Sequence, residues 1–223
     1  EDISAINRIL MERRTEDFHQ YASIICFCFK EQDLMDLDHV ETLPESVKTW
    51  AKKKMLEHDP VYMEFFQHLF ALYSSFSQTE EGLSFLGKRR SIFPEFYVYH
   101  RIKQLYAHAS QALIRRDCYV VVDNWDTRRD RTRDEGQKID VGAWDPERET
   151  GHCFECKVKF YIKEKEHQLV FLEAVRDQSR GKLHVFLASF APKKIILRQL
   201  HSFFPGRDLS KINILGVDEL KHL

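Results

Sequence analysis

The sequence predicts a mixed α/β sandwich preceded by a helical domain, and three observations carry that expectation. Up to about residue 90 the apolar residues recur at three- and four-residue steps, the period of an amphipathic helix. Beyond that point β-branched and alternating runs appear between turn signals. Helical stretches then alternate with the last strands, which is how parallel crossovers read in sequence.

Ile3, Ile6, Ile9 and Leu10, followed by Phe18, Tyr21, Ile24 and Ile25, place an apolar stripe on one helix face. Pro44 with Glu45 opens a helix through Leu56, and Asp59-Pro60 caps another through about Ser74. Thr79-Glu80-Glu81 starts a short helix ending near Gly87, and Lys88-Arg89-Arg90 forms a small basic joint. Pro94 and Glu95 suit the first turn of a long helix running to about Arg116. Residues 119–122 then read as a buried strand, 124–138 as a mixed-charge loop, and 139–144 as a second strand. After a turn at Asp145-Pro146, residues 153–160 form a third strand and 165–179 a helix. Residues 183–190 read as strand, 195–204 as helix and 212–217 as a last short strand. The expected division is a helical domain over 1–90, serving recognition, dimerisation or docking, and an α/β domain over 91–223.

Composition bounds the function. The chain is 43% hydrophobic and 31% charged, which is ordinary globular usage. Its longest apolar run, residues 21–29, is too short to span a bilayer, and no signal-peptide leader opens the chain. The expectation is a soluble, cytoplasmic protein with no membrane partner. Five cysteines are an odd number, which argues against a disulfide framework, and Cys26 and Cys28 read as core thiols. Cys153 and Cys156 have C-x-x-C spacing, but no cysteine follows them to complete a zinc or iron–sulfur site. Net charge is −1, yet its distribution is uneven. Residues 1–90 carry 11 Lys/Arg against 16 Asp/Glu, whereas residues 151–223 carry 13 against 8. A local positive field of that kind can bind phosphate, though it is also a common solvated surface.

The residues that carry chemistry lie on the second and third predicted strands. Side chains alternate faces along a strand, so Glu155 and Lys157 share a face while Cys156 points away. If the strands pair, Asp140 converges with Glu155 on one cation, with Lys157 alongside. Magnesium favours such hard oxygen ligands, one or two carboxylates plus a backbone carbonyl and waters. The plain alternative is a cross-strand ion pair on a solvated face. Lys159 shares the face of Lys157 and can contact a phosphodiester backbone. The loop arginines, Arg131 and Arg133 with Arg128 and Arg129, can clamp phosphates or simply be solvated. His152 reads first as a turn residue.

The string Ile-Asp-Val-Gly-Ala-Trp from Ile139, followed by Cys-Phe-Glu-Cys-Lys-Val-Lys from Cys153, resembles the PD-(D/E)xK nuclease superfamily. The resemblance covers about residues 91–190. It implies the restriction-endonuclease-like fold with an αβββαβ core, and magnesium or manganese as the cofactor. It implies Asp140, Glu155 and Lys157 as catalytic residues. The carboxylates of Asp140 and Glu155 would be metal ligands, with the main-chain carbonyl of Cys156 and with Glu95 on the first core helix. Ile139 stands where many members have proline. Gln168 resembles the glutamine of the Gln-x-x-x-Tyr helix motif in the exonuclease-like branch, although Leu172 replaces the tyrosine.

The expected function is a divalent-metal-dependent nuclease acting on DNA phosphodiesters, an endonuclease of a restriction, defence or mobile-element system. It would act as a homodimer or within a larger complex. Two alternatives stand beside it: an RNA-directed nuclease of the same fold, and a non-catalytic nucleic-acid-binding or assembly subunit.

Overall fold

A computed structural model of the chain describes residues 1–13, 16–76, 90–129, 137–158 and 166–223. These fall into two compact units, Glu1–Phe93 and Pro94–Leu223. The expected short helix at 79–87, and Lys88 and Arg89 after it, lie outside the described residues.

The first unit is built from α1 (Asp2–Glu12), α2 (Phe18–Phe27), α3 (Glu31–Met35), α4 (Glu45–Leu56) and α5 (Pro60–Phe76). Its core follows the predicted stripe: Ile6, Ile9, Leu10, Phe18, Tyr21, Ile24 and Ile25 are all buried. Tyr21 packs edge-on against Trp50 and Phe65, with ring centroids 5.0 and 4.6 Å apart. Such aromatic pairs add about 0.5–1.5 kcal/mol beyond their buried area. Asp59 caps α5, its carboxylate accepting the amide hydrogens of Val61 and Tyr62 at 3.1 and 3.0 Å. Arg90 corrects the expected basic joint. It is 3% exposed, and its guanidinium donates to the carbonyls of Ile25 and Cys26 at the end of α2. Free carbonyls at a helix C-terminus are a natural partner for a cation, so this arginine serves the fold.

The second unit runs α6 (Ile92–Leu105), β1 (Leu113–Cys118), β2 (Val121–Val122), β3 (Trp125–Asp126), β4 (Ile139–Asp145), β5 (Thr150–Lys157), α7 (Glu166–Gln178), β6 (Leu183–Ser189), α8 (Lys193–Phe203), β7 (Asn213–Leu215) and α9 (Val217–Leu220). It is a mixed α/β architecture around a five-stranded sheet of order β1-β4-β5-β6-β7. β4 pairs antiparallel with β1 and β5, whereas β6 pairs parallel with β5 and β7. The helix α7 packs on β6, as a crossover between parallel strands must.

Two expectations need correction. The helix after Ser91 ends at Leu105 rather than near Arg116, and residues 113–118 form the first strand of the sheet. Arginines at 115 and 116 are good helix formers locally, but pairing with β4 overrides that preference. The run at 119–122 is then not the buried first strand. Val121 is 57% exposed, and β2 pairs only with β3 in a small separate ribbon.

β4 buries alternate residues, Ile139, Val141, Ala143 and Asp145, and turns Asp140, Gly142 and Trp144 to the other face. The turn after it is set by Asp145, whose buried carboxylate accepts the amides of Glu147 and Arg148. Gly151 sits where a Cβ would lie 2.3 Å from the carbonyl oxygen of Ala143, a backbone atom that cannot move aside. Gly142 would place its Cβ 2.7 Å from the Cys118 sulfur, which can. Gly151→Ala is therefore expected to destabilise by about 2–3 kcal/mol, and Gly142→Ala by about 1 kcal/mol. Urea denaturation should also show the second loss reversed by adding Cys118→Ala.

Candidate functional site: two carboxylates and a lysine on one sheet face

The register of β4 and β5 sets Val141 opposite Phe154 and Gly142 opposite Cys153, which brings Asp140 opposite Glu155. Facing residues of an antiparallel pair project to the same side. Lys157, two residues after Glu155, joins them there. Its Nζ donates to Glu155 Oε1 at 2.5 Å and stands 3.6 Å from Asp140 Oδ2. Asp140 is oriented by the main chain, since the Cys156 amide donates to its Oδ2 at 2.6 Å. Among the described residues no hydrogen bond engages its Oδ1.

The site is partly withdrawn from water, with the Glu155 side chain 7% exposed and the Lys157 side chain 15%. Burial opposes the lysine charge, but attraction to Glu155 and Asp140 outweighs it and raises the ammonium pKa above the ordinary value. Lys157 is consequently a fixed cation at neutral pH and cannot be the proton acceptor of a reaction there. Cys156 points to the other face, where burial, with the charges of Asp140 and Glu95, pushes its thiol far up. That thiol is no nucleophile.

These three residues line a cavity of about 230 Å³ with Gln137, Lys138, His167, Gln168 and Phe171. The helix α7 supplies the last three, so the crossover that closes the sheet also roofs the pocket. Among the described residues Gln168 Oε1 is buried and has no hydrogen-bond partner. A buried carbonyl left without a partner costs about 1–3 kcal/mol. Gln137 and His167 were not singled out from sequence. The available signal was adjacency, Gln137 lying two residues before β4 and His167 one before Gln168.

Among the described residues no group of three or more His, Cys, Asp and Glu side chains could hold a metal ion. The side-chain donors here are two carboxylates, which suit a hard cation that keeps several waters, such as magnesium or manganese. Glu95 is not among the residues lining the cavity. Its carboxylate stands 3.9 Å from Arg116, which faces Val141 across the pair and so projects to the opposite side of the sheet. Arg131, Arg133 and Lys159 lie outside the described residues.

His152 corrects another expectation, because it lies within β5 rather than in a turn. Its Nδ1 is 2.5 Å from the Tyr106 hydroxyl, on the side of the sheet away from Asp140. Burial, with His184 beside it, lowers its pKa. A base with a depressed folded pKa binds fewer protons folded than unfolded, so stability falls as pH drops below about 6.5. Denaturant titrations at pH 7 and 5 should show that acid loss reduced in His152→Phe.

No family model matches the chain, and no curated protein matches its sequence. Among solved structures it is similar to protein VC1899 from Vibrio cholerae, with a TM-score of 0.46 and 16% identity. That alignment covers 98% of this chain and 54% of the other, so the chain spans about half its length. It is also similar to Can2 from Sulfobacillus thermosulfidooxidans, solved in complex with cyclic tetra-adenylate. There the TM-score is 0.39 and identity 16%, over 65% of this chain and 37% of Can2. Among the described residues no helix is long and apolar enough to cross a membrane.

Proposed function

We propose that the chain is a divalent-cation-dependent nuclease of the PD-(D/E)xK type, hydrolysing DNA phosphodiesters at the Asp140, Glu155 and Lys157 pocket. The observation that carries this reading is the convergence of those three side chains on one face of paired strands, in a cavity that Gln168 also lines. The order α6, β1, β4, β5, α7, β6 supports it, being helix, three strands, helix, strand.

Asp140 and Glu155, with the Cys156 main-chain carbonyl, would hold a magnesium or manganese ion. Such an ion supplies Lewis acidity toward a phosphoryl oxygen and lowers the pKa of a bound water. The amide of Cys156 keeps Asp140 aimed while a substrate binds. Lys157 offsets the charge that grows on the phosphoryl oxygens, which needs a permanent cation of the kind its neighbours enforce. Gln168, which lines the same pocket, would position the substrate.

A second reading has one observation in its favour. The Lys157–Glu155 contact already neutralises part of the acidic pair, as a purely structural ion pair on a non-catalytic assembly subunit would. Purified protein incubated with plasmid, linear and single-stranded DNA and with RNA, in magnesium or EDTA, separates the two. The nuclease reading expects cleavage in magnesium only, DNA cut in preference to RNA, and loss of cleavage in Gln168→Leu by about tenfold. Absence of cleavage together with no heat of magnesium binding supports the structural pair.

A further inference from the structure

The reactive pocket does not end at Lys157. Gln137, His167 and Phe171 line both it and a second cavity of about 670 Å³, so the two adjoin across these residues. The far part lies between the β2–β3 ribbon and one face of α7. Trp125 and Asn124 form its wall, and Val170 with Phe171 its floor. The indole of Trp125 is half-buried, and among the described residues no ring or cation packs on it. Val170 is 50% exposed, so part of its side chain is open to solvent.

The wall is held firmly. Trp125 pairs with Val122 across the ribbon. The Val120 amide donates to the Thr127 hydroxyl at 3.1 Å, the Thr127 amide to the Val120 carbonyl at 3.0 Å, and the Gln137 amide to the Thr127 carbonyl at 3.0 Å. The backbone of the ribbon is thereby tied to the residue two positions before β4. A half-buried aromatic face with no ring or cation on it among the described residues, an apolar floor and side-chain amides at the rim suit a flat heteroaromatic ring with hydrogen-bonding edges. The volume lies in the range of small-ligand sites.

We infer that this cleft is a nucleobase subsite, which stacks the base of a nucleotide flanking the scissile phosphate on Trp125 while Asn124 and Gln137 meet its edge. The inference rests on the nuclease reading for what lies at the other end of the cleft. It adds a substrate class: a base inside a duplex has no free face to offer, so the target presents an unpaired base.

The test measures binding apart from chemistry. Fluorescence anisotropy in EDTA compares a labelled single-stranded oligodeoxynucleotide with a hairpin duplex of the same length. The wild-type chain should favour the single strand. Trp125→Ala should weaken that binding about tenfold, and Trp125→Phe should retain most of it. Thermal melts establish that the variants fold, and if Trp125→Ala does not, Trp125→Leu, which keeps apolar bulk without a stacking face, carries the test with the same expected loss. Unchanged single-strand binding in Trp125→Ala overturns the subsite, as does a preference for the duplex or tighter capture of RNA-free peptide libraries than of the oligonucleotide. If stacking is lost as expected but the wild type cleaves nothing in magnesium, the subsite stands and the nuclease reading alone fails.

Discussion

Replacing Lys157 with methionine is expected to slow phosphodiester cleavage by about 10²–10³-fold and, at the same time, to tighten binding of divalent cations. The rate loss follows from removing a fixed positive charge aimed at developing negative charge. The affinity gain follows from geometry. The Lys157 ammonium sits 2.5 Å from Glu155 and 3.6 Å from Asp140, so it occupies the carboxylates that a cation would use. Without it, two carboxylates face each other in a partly buried site and repel. In EDTA the variant should lose about 3 kcal/mol of stability, the scale for breaking a buried pair. Magnesium should restore much of that loss by mass action. A purely structural ion pair gives the same stability loss but no cleavage to lose.

Asp140→Asn is expected to abolish cleavage, by about 10³-fold or more, with little change in fold. The amide oxygen of asparagine can still accept the Cys156 N–H that Asp140 accepts at 2.6 Å, while the charge that would hold a cation is gone. Asp140→Ala should match its rate loss and add about 1–3 kcal/mol of instability, because the Cys156 amide loses its acceptor. Single-turnover rates combined with urea midpoints separate the two contributions.

The centre of the site was legible because it depends on local rules. Alternation along a strand puts Glu155 and Lys157 on one face, and an Asp-Pro turn between two runs implies a hairpin that brings Asp140 across. Gln168 came instead from the resemblance to a helix motif, despite Leu172 standing where tyrosine is expected. The edge of the sheet was not legible. Residues 113–118 carry two arginines and no β-branched run beyond Ile114, so nothing local opposed continuing α6. Their strand character comes from a partner, β4, more than twenty residues downstream. The Val120–Val122 run had the stronger local signal for a core strand and became a small ribbon instead, since β1 had already taken that edge of β4. Glu95 shows a related difficulty: its place in the first turn of α6 was foreseen, but which side of the sheet it serves depends on packing. Trp125 read as part of a charged loop, and its place on the wall of a cavity lined also by α7 depends on tertiary packing.

The most direct test of the central claim is anomalous diffraction from crystals soaked in manganese. A bound ion should give a single strong peak between Asp140 and Glu155, about 2.0–2.4 Å from an oxygen of each, with the Lys157 ammonium moved off Glu155. A map with no peak there, and Lys157 still bridging both carboxylates, would contradict the account.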